Sequence, residues 1–203
     1  MTKLYLVRHG QTESNACGIY QGQTNSPLSS LGHKQAQLLA KEIVHQELVI
    51  DKLYSSPAGR AQQTAEYVSN AIGKEVILDS GLQEINLGNW EGYTWEQICE
   101  DYPDASCTYH ENWWTFDGHG GESWLDAQLR FYKTILRLSE LNPGKNLMFV
   151  AHGGVIRTLI SKILGSSNPR LPLDIDNASL TELRVTNDSI RVVSVNNHFY
   201  LKT

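Results

Sequence analysis

The sequence predicts an α/β protein: a three-layer α/β/α sandwich around a mostly parallel central sheet, with a small cap or insertion over the core. Three observations carry this. Short unbroken apolar runs, residues 4–7 and 147–151, match strands buried on both faces. Between such runs lie segments whose apolar residues recur three and four apart, the spacing of helices packed on a sheet. Strand-like and helix-like segments alternate along most of the 203 residues, with no internal repeat or low-complexity tract.

Each element follows in order. Residues 3–7 are the first strand, apolar, β-prone and stopped by Gly10. Residues 12–30 are polar and glycine-bearing, a loop too long to be idle in a compact domain. Residues 31–46 place Leu31, Leu38, Leu39 and Ile43 at helical spacing, behind Ser29 and Ser30 as caps. A second strand, residues 49–55, ends at Ser56-Pro57. A helix starting near Ala58 aligns Ala61, Ala65, Val68 and Ile72 and stops at Gly73. Residues 75–78 are a third short strand.

Residues 80–121 change character. Trp, Tyr, Gly and acidic residues crowd there, with room for one short helix around Trp95–Asp101, and this stretch is the expected cap. A long helix over residues 122–141 offers Leu125, Leu129, Tyr132, Ile135, Leu136 and Leu138 as its apolar stripe, ended by Asn142-Pro143-Gly144. Another buried strand at 147–151 precedes a helix over 155–164. Residues 181–185 and 190–195, split by Asn187-Asp188, close the chain as a hairpin. Residues 1–203 read as one domain, with 80–121 its insertion.

Composition narrows the function. The net charge is −5, and Lys and Arg are scattered, so nothing suggests binding to nucleic acid or an anionic membrane. No stretch approaches the ~20 apolar residues that span a bilayer. Cys17, Cys99 and Cys107 are odd in number and lack paired metal or redox spacing, as expected of free thiols in a reducing cytoplasm. A soluble cytoplasmic enzyme acting on a small molecule is the expectation. A homodimer is compatible with the sequence, though no edge or stripe compels it.

Two of the buried strands end alike. Residues 4–7 run into Arg8-His9-Gly10, and residues 147–151 run into His152-Gly153-Gly154. In an open parallel sheet, ligands sit at the carboxyl ends of the strands. A third strand end is followed by a helix with Arg60 in its first turn, where the helix N-terminus and a guanidinium both attract anions. Two arginines, two histidines and free backbone N–H groups on one spot make an anion site of phosphate type, which glycines let a ligand approach closely.

These residues resemble a known family. The stretches Leu6-Val-Arg8-His9-Gly10-Gln-Thr12, Ser55-Ser-Pro-Ala-Gly-Arg60-Ala-Gln-Gln-Thr64-Ala65, Leu82-Gln-Glu84-Ile-Asn-Leu-Gly88-Asn-Trp-Glu-Gly92 and Val150-Ala-His152-Gly-Gly154 are similar to motifs of the histidine phosphatase superfamily, in that family's order. The nearest branch resembles the phosphoglycerate mutase-like phosphatases. Gly120-Gly-Glu-Ser123 and Asn177-Ala-Ser-Leu-Thr181 resemble weaker family landmarks.

The resemblance implies that His9 is the nucleophile and that Arg8, Arg60 and His152 surround the phosphate. Asn15, Gln21, Gly22 and Gly153 would line the same cavity, and Glu84 would be the general acid. It implies a phosphate ester of a small molecule as substrate, with no metal and no organic cofactor for hydrolysis. The chemistry stands independently, because phosphoryl transfer asks mainly for positioning and charge at the equatorial oxygens. His9 needs one bare nitrogen, the other donating to a carbonyl, whereas His152 would serve best protonated.

Four alternatives remain at this level. Glu91 lies in the same motif as Glu84 and rivals it as the acid. A phosphoglycerate mutase would return the phosphoryl group to a sugar acid, but such mutases carry a basic stretch after the acid where this chain has Ile85-Asn-Leu-Gly-Asn-Trp90. A regulatory module with a decayed site would lack catalytic residues, yet every expected position is filled. A zinc site from Cys99, Cys107, His110 and His119 fits no established spacing. Trp90, Trp95, Trp113, Trp114, Phe116 and Trp124 form either the leaving-group pocket or the core of the cap.

Overall fold

The computed structural model describes residues 2–166, 172–186 and 189–202, within which six strands form one sheet. They are β1 (Thr2–Arg8), β2 (Lys52–Ser55), β3 (Val76–Leu78), β4 (Leu147–Ala151), β5 (Leu180–Val185) and β6 (Ile190–Asn197). Across the sheet the order is β3-β2-β4-β1-β5-β6. The first four in that order are parallel, and β5 and β6 are antiparallel to their neighbours. The fold class read from sequence therefore holds, with the hairpin closing one edge. The Asn187-Asp188 turn lies outside the described residues.

Alternation along the central strands explains their unbroken apolar sequence. Leu4 and Leu6 of β1 enter one core cluster while Tyr5 and Val7 enter the other. In β4, Leu147, Phe149 and Ala151 face the first cluster, and Met148 and Val150 the second. A strand covered on both sides has no solvent face on which polar residues could alternate.

Among the described residues there are seven helices: α1 (Glu13–Ala16), α2 (Ser30–His45), α3 (Gly59–Ile72), α4 (Trp95–Asp101), α5 (Pro103–Asn112), α6 (Trp124–Glu140) and α7 (Gly153–Ile163). Residues of α2 and α3 share one cluster; α6, α7 and the cap share the other. Ser29 and Ser123 cap α2 and α6 by accepting from Gly32 N and Asp126 N. Gly73 ends α3 in the left-handed region at φ 64°, where a side chain would be strained.

Several expectations need correction. The loop at 12–30 contains α1, a single turn closed by a capping box between Thr12 and Asn15. Residues 80–121 hold two helices rather than one: Pro103 starts α5 at its first turn, where proline's missing N–H costs nothing. In α2, Leu31 is 50% exposed and Ala36 takes the core position instead. In α6 the fully buried stripe is Trp124, Ala127, Phe131, Ile135 and Leu138, with Leu125, Leu129 and Leu136 only half-buried at its flanks. Finally, α7 begins at Gly153, two residues earlier than its first apolar residue.

Candidate active site

Register brings the two histidines together. β1 and β4 pair in parallel with Arg8 opposite Ala151, so His9 and His152 are the next residues on neighbouring strands. The His9 N–H donates to the Ala151 carbonyl at 3.0 Å, and the two rings lie 5.2 Å apart. On the other side of β4, Ser55 pairs with Val150, so Ser56 reaches the same level. Three strands thus end on one line, and α3 and α7 start from it.

Arg8, His9, Asn15, Gln21, Gly22, Arg60, Glu84 and Gly153 all line one cavity of about 410 Å³. His152 is fully buried against His9 rather than part of the lining. The sequence-level set is therefore brought together whole.

His9 is 3% exposed, and its Nδ1 lies 2.7 Å from the Gly10 carbonyl oxygen. A carbonyl only accepts, so Nδ1 carries the hydrogen and a neutral ring leaves Nε2 bare. Burial, then the charges of Arg60 and Arg8, hold the ring well below its ordinary 6.5. Gly10 itself permits a close approach: a Cβ there would meet the Gly32 carbonyl oxygen at 2.5 Å.

Backbone carbonyls aim the two guanidiniums. Arg60, 1% exposed, donates from Nη1 to Thr24 O and from Nη2 to Gly22 O, both at 2.7 Å. Arg8 Nη1 donates to Ile175 O at 2.6 Å. Three buried nitrogens, Arg8 Nε, Arg60 Nε and His152 Nδ1, have no partner among the described residues. Unsatisfied buried donors are costly, and an anion with several acceptor oxygens is the ligand that satisfies them together. Gly153 lies close enough to Arg8 that a Cβ would meet its Nε at 3.1 Å.

His152 departs from expectation. Burial comes first, then the charge of Arg60, with His9, Arg8 and Arg130 adding, and together they hold this ring well below 6.5. It can still donate. Its Nε2 is 2.8 Å from Ser56 Oγ, which accepts from the Ala58 N–H at 3.3 Å and keeps its own hydrogen free for Nε2. In the tautomer where Ser56 gives that hydrogen to Nε2, the ring proton sits on Nδ1, the unpartnered nitrogen.

The two rival acids separate by location. Glu84 lines the cavity and accepts from Gly154 N and Val155 N, each at 3.0 Å, where α7 starts. Its carrier segment is clamped by Arg130, which donates to the carbonyls of Gly81, Gln83 and Glu84 while paired with Glu122 at 2.7 Å. Glu91 does not line the cavity. It accepts from Gln23 N, Thr24 N and Leu87 N at 2.8, 3.0 and 3.1 Å, pinning the loop whose carbonyls hold Arg60. It also fills the space beside Gly22, where any Cβ would collide with it.

Asn15 fixes its Oδ1 with Thr12 N at 3.2 Å and Asn177 Nδ2 at 3.3 Å. Asn177 Nδ2 also reaches the His9 carbonyl at 3.1 Å, which gives that weak landmark a structural task. The aromatic residues divide. Trp124 lines the cavity, Trp95 and Trp113 line a cleft beside it, and Trp90 and Phe116 stack at 5.4 Å inside the core cluster they share with the sheet. Trp114 packs half-buried against that core.

Sequence reasoning missed Ser56, Arg157, Asp174 and Asp176, of which the last three line the cavity. For Arg157 one signal existed: it stands four residues after Gly153, on the same helix face. Cys99, Cys107, His110 and His119 do not gather. Both thiols are exposed, His119 is buried against Trp90, and among the described residues no three His, Cys, Asp or Glu side chains are placed to hold a metal. No helix among the described residues is long and apolar enough to cross a membrane.

A model of the histidine phosphatase superfamily (branch 1) matches residues 4–198. The chain is 32% identical to a putative phosphoserine phosphatase 2 of Hydrogenobacter thermophilus, over 97% of this chain and 96% of that one. It is 36% identical to a probable phosphoglycerate mutase of Escherichia fergusonii, over 81% of this chain and 76% of that one. A mycobacterial glucosyl-3-phosphoglycerate phosphatase, solved in complex with VO3, superposes with a TM-score of 0.84 at 33% identity, covering 96% of this chain and 98% of that one.

Proposed function

Because the chain belongs to the histidine phosphatase superfamily (branch 1), we propose that it is a metal-independent phosphomonoesterase that works through a phosphohistidine at His9. The observation that carries this is the state of His9: Nδ1 is committed to the Gly10 carbonyl, and the bare Nε2 belongs to a cavity with two aimed guanidiniums.

In the first step His9 Nε2 attacks phosphorus and the P–O bond to the leaving group breaks. Glu84 gives its proton to the departing oxygen. Arg8, Arg60 and the His152 Nδ1–H hold the equatorial oxygens, supplying charge stabilisation where it develops. In the second step water attacks phosphorus, Glu84 takes its proton, and the P–N bond breaks with its electron pair returning to Nε2, so free phosphate leaves a neutral His9. The charge needed at the oxygens comes from the chain's own side chains, so the mechanism calls for no metal.

Relatives named as phosphatases favour water as the acceptor, while the relative named as a probable mutase keeps transfer to a sugar acid in view. A screen of phosphorylated metabolites in chelator decides between them, with 3-phosphoglycerate and its bisphosphate primer included. We expect phosphate release from several esters and inhibition by vanadate. Isomerisation without phosphate release would make the protein a mutase, and indifference to vanadate would contradict the pocket.

A further inference from the structure

Resting on the phosphomonoesterase reading, we propose that the site selects esters whose leaving alcohol carries a carboxylate, and that Arg157 reads it. Arg157 lines the catalytic cavity and also the adjoining cleft of Tyr20, Trp95, Tyr109, Trp113 and Trp124. It therefore stands where the leaving group must pass from one to the other.

Its placement follows from helix geometry. Gly153, which packs against the Arg8 guanidinium, and Arg157 are four residues apart on α7, on one face and about 6 Å apart along the axis. A carboxylate two or three bonds from the ester oxygen lies at a comparable distance from phosphorus.

Its chemistry follows from what it lacks. Arg8, Arg60 and Arg130 are each tied to carbonyls or a carboxylate, but the Arg157 guanidinium makes no hydrogen bond or ion pair among the described residues. Asp176, on another wall of the cavity, is taken by Asn196 and His198. A third guanidinium near Arg8 and Arg60 adds like charge that a ligand with a second anionic group relieves. The guanidinium is also held in place. It lies 6.0 Å over the Trp124 ring, and that ring is fixed by a 3.1 Å bond from Nε1 to Tyr109 Oη and by contact with Gly154. A planar fork so positioned suits a carboxylate and loses little freedom on binding one.

Matched esters test this. O-phosphoserine and O-phosphoethanolamine differ only in the carboxylate; 3-phosphoglycerate and glycerol 3-phosphate exchange it for a hydroxymethyl group. The wild-type chain should favour the carboxylated member of both pairs by about tenfold or more in kcat/KM. Arg157→Gln should bring the ratio near one, and Arg157→Lys should restore part of it. Parity in the wild type, a preference that survives Arg157→Gln, or hydrolysis of p-nitrophenyl phosphate with neither carboxylated ester turned over would overturn the inference while leaving the phosphatase reading intact. Failure to hydrolyse any ester would instead overturn the reading beneath it.

Discussion

In the proposed mechanism two influences of different kind prepare His9 as the nucleophile. The Gly10 carbonyl decides which nitrogen is bare, and burial with two neighbouring cations keeps the ring neutral. Both were legible in outline, because Arg8 and His9 break an apolar strand where such residues otherwise have no reason to stand. Glu84 was not legible in that way. It lies between short turns of the cap, and only its three-dimensional position at the start of α7 separates it from Glu91. Its assigned role makes a specific expectation. Glu84→Gln should slow esters with poor leaving groups by about 100-fold or more, while p-nitrophenyl phosphate, whose leaving group needs little protonation, loses far less. Equal losses across leaving groups in a steady-state comparison would take the proton-donor role away from Glu84.

At the level of elements, the site is a consequence of register. Parallel pairing of Arg8 with Ala151 and of Ser55 with Val150 sets three strand ends level, which the sequence implied through its matching strand-to-histidine junctions. The loop at 21–24 was less readable. Its shape depends on Glu91, some seventy residues away, and no local pattern announces so distant a staple. Glu91→Ala should leave its amide partners without their acceptor, destabilising the fold by roughly 1–3 kcal/mol. It should also loosen the carbonyls that aim Arg60, lowering kcat/KM by about tenfold. Hydrogen exchange at Gln23 and Leu87 reads this directly; unchanged protection with unchanged kinetics would remove the staple from the account. The α6 stripe was misread for a physical reason. Its sequence has more apolar residues than one face can bury, and the face that joins the core cluster carries Trp124, Ala127, Phe131, Ile135 and Leu138, leaving the leucines beside them at its margins.

For the molecule as a whole, the cost of assembling this site appears as pH-dependent stability. His9 and His152 are both held well below 6.5 in the folded chain. Between that lowered value and about 6.5 the unfolded chain binds more protons, so stability falls as pH drops below about 6.5. Each histidine contributes up to about 1.4 kcal/mol per pH unit in that window. Urea unfolding at pH 7.0 and 6.0 should show the loss, and His152→Gln should flatten it; a stability that rises on acidification would contradict the burial of both rings as neutral groups. The sandwich itself was plain from alternation of buried runs and helical periods. The second cap helix was not, because Pro103 reads as a stop and serves as a start.

The claim on which everything else depends is that phosphorus passes through His9. A reaction with a ³²P-labelled ester, quenched in alkali within milliseconds, digested and mapped by mass spectrometry, should give an acid-labile, alkali-stable phosphoramidate on the peptide carrying His9, absent in His9→Ala. Turnover with no label on that peptide, or label retained after His9→Ala, would contradict the account.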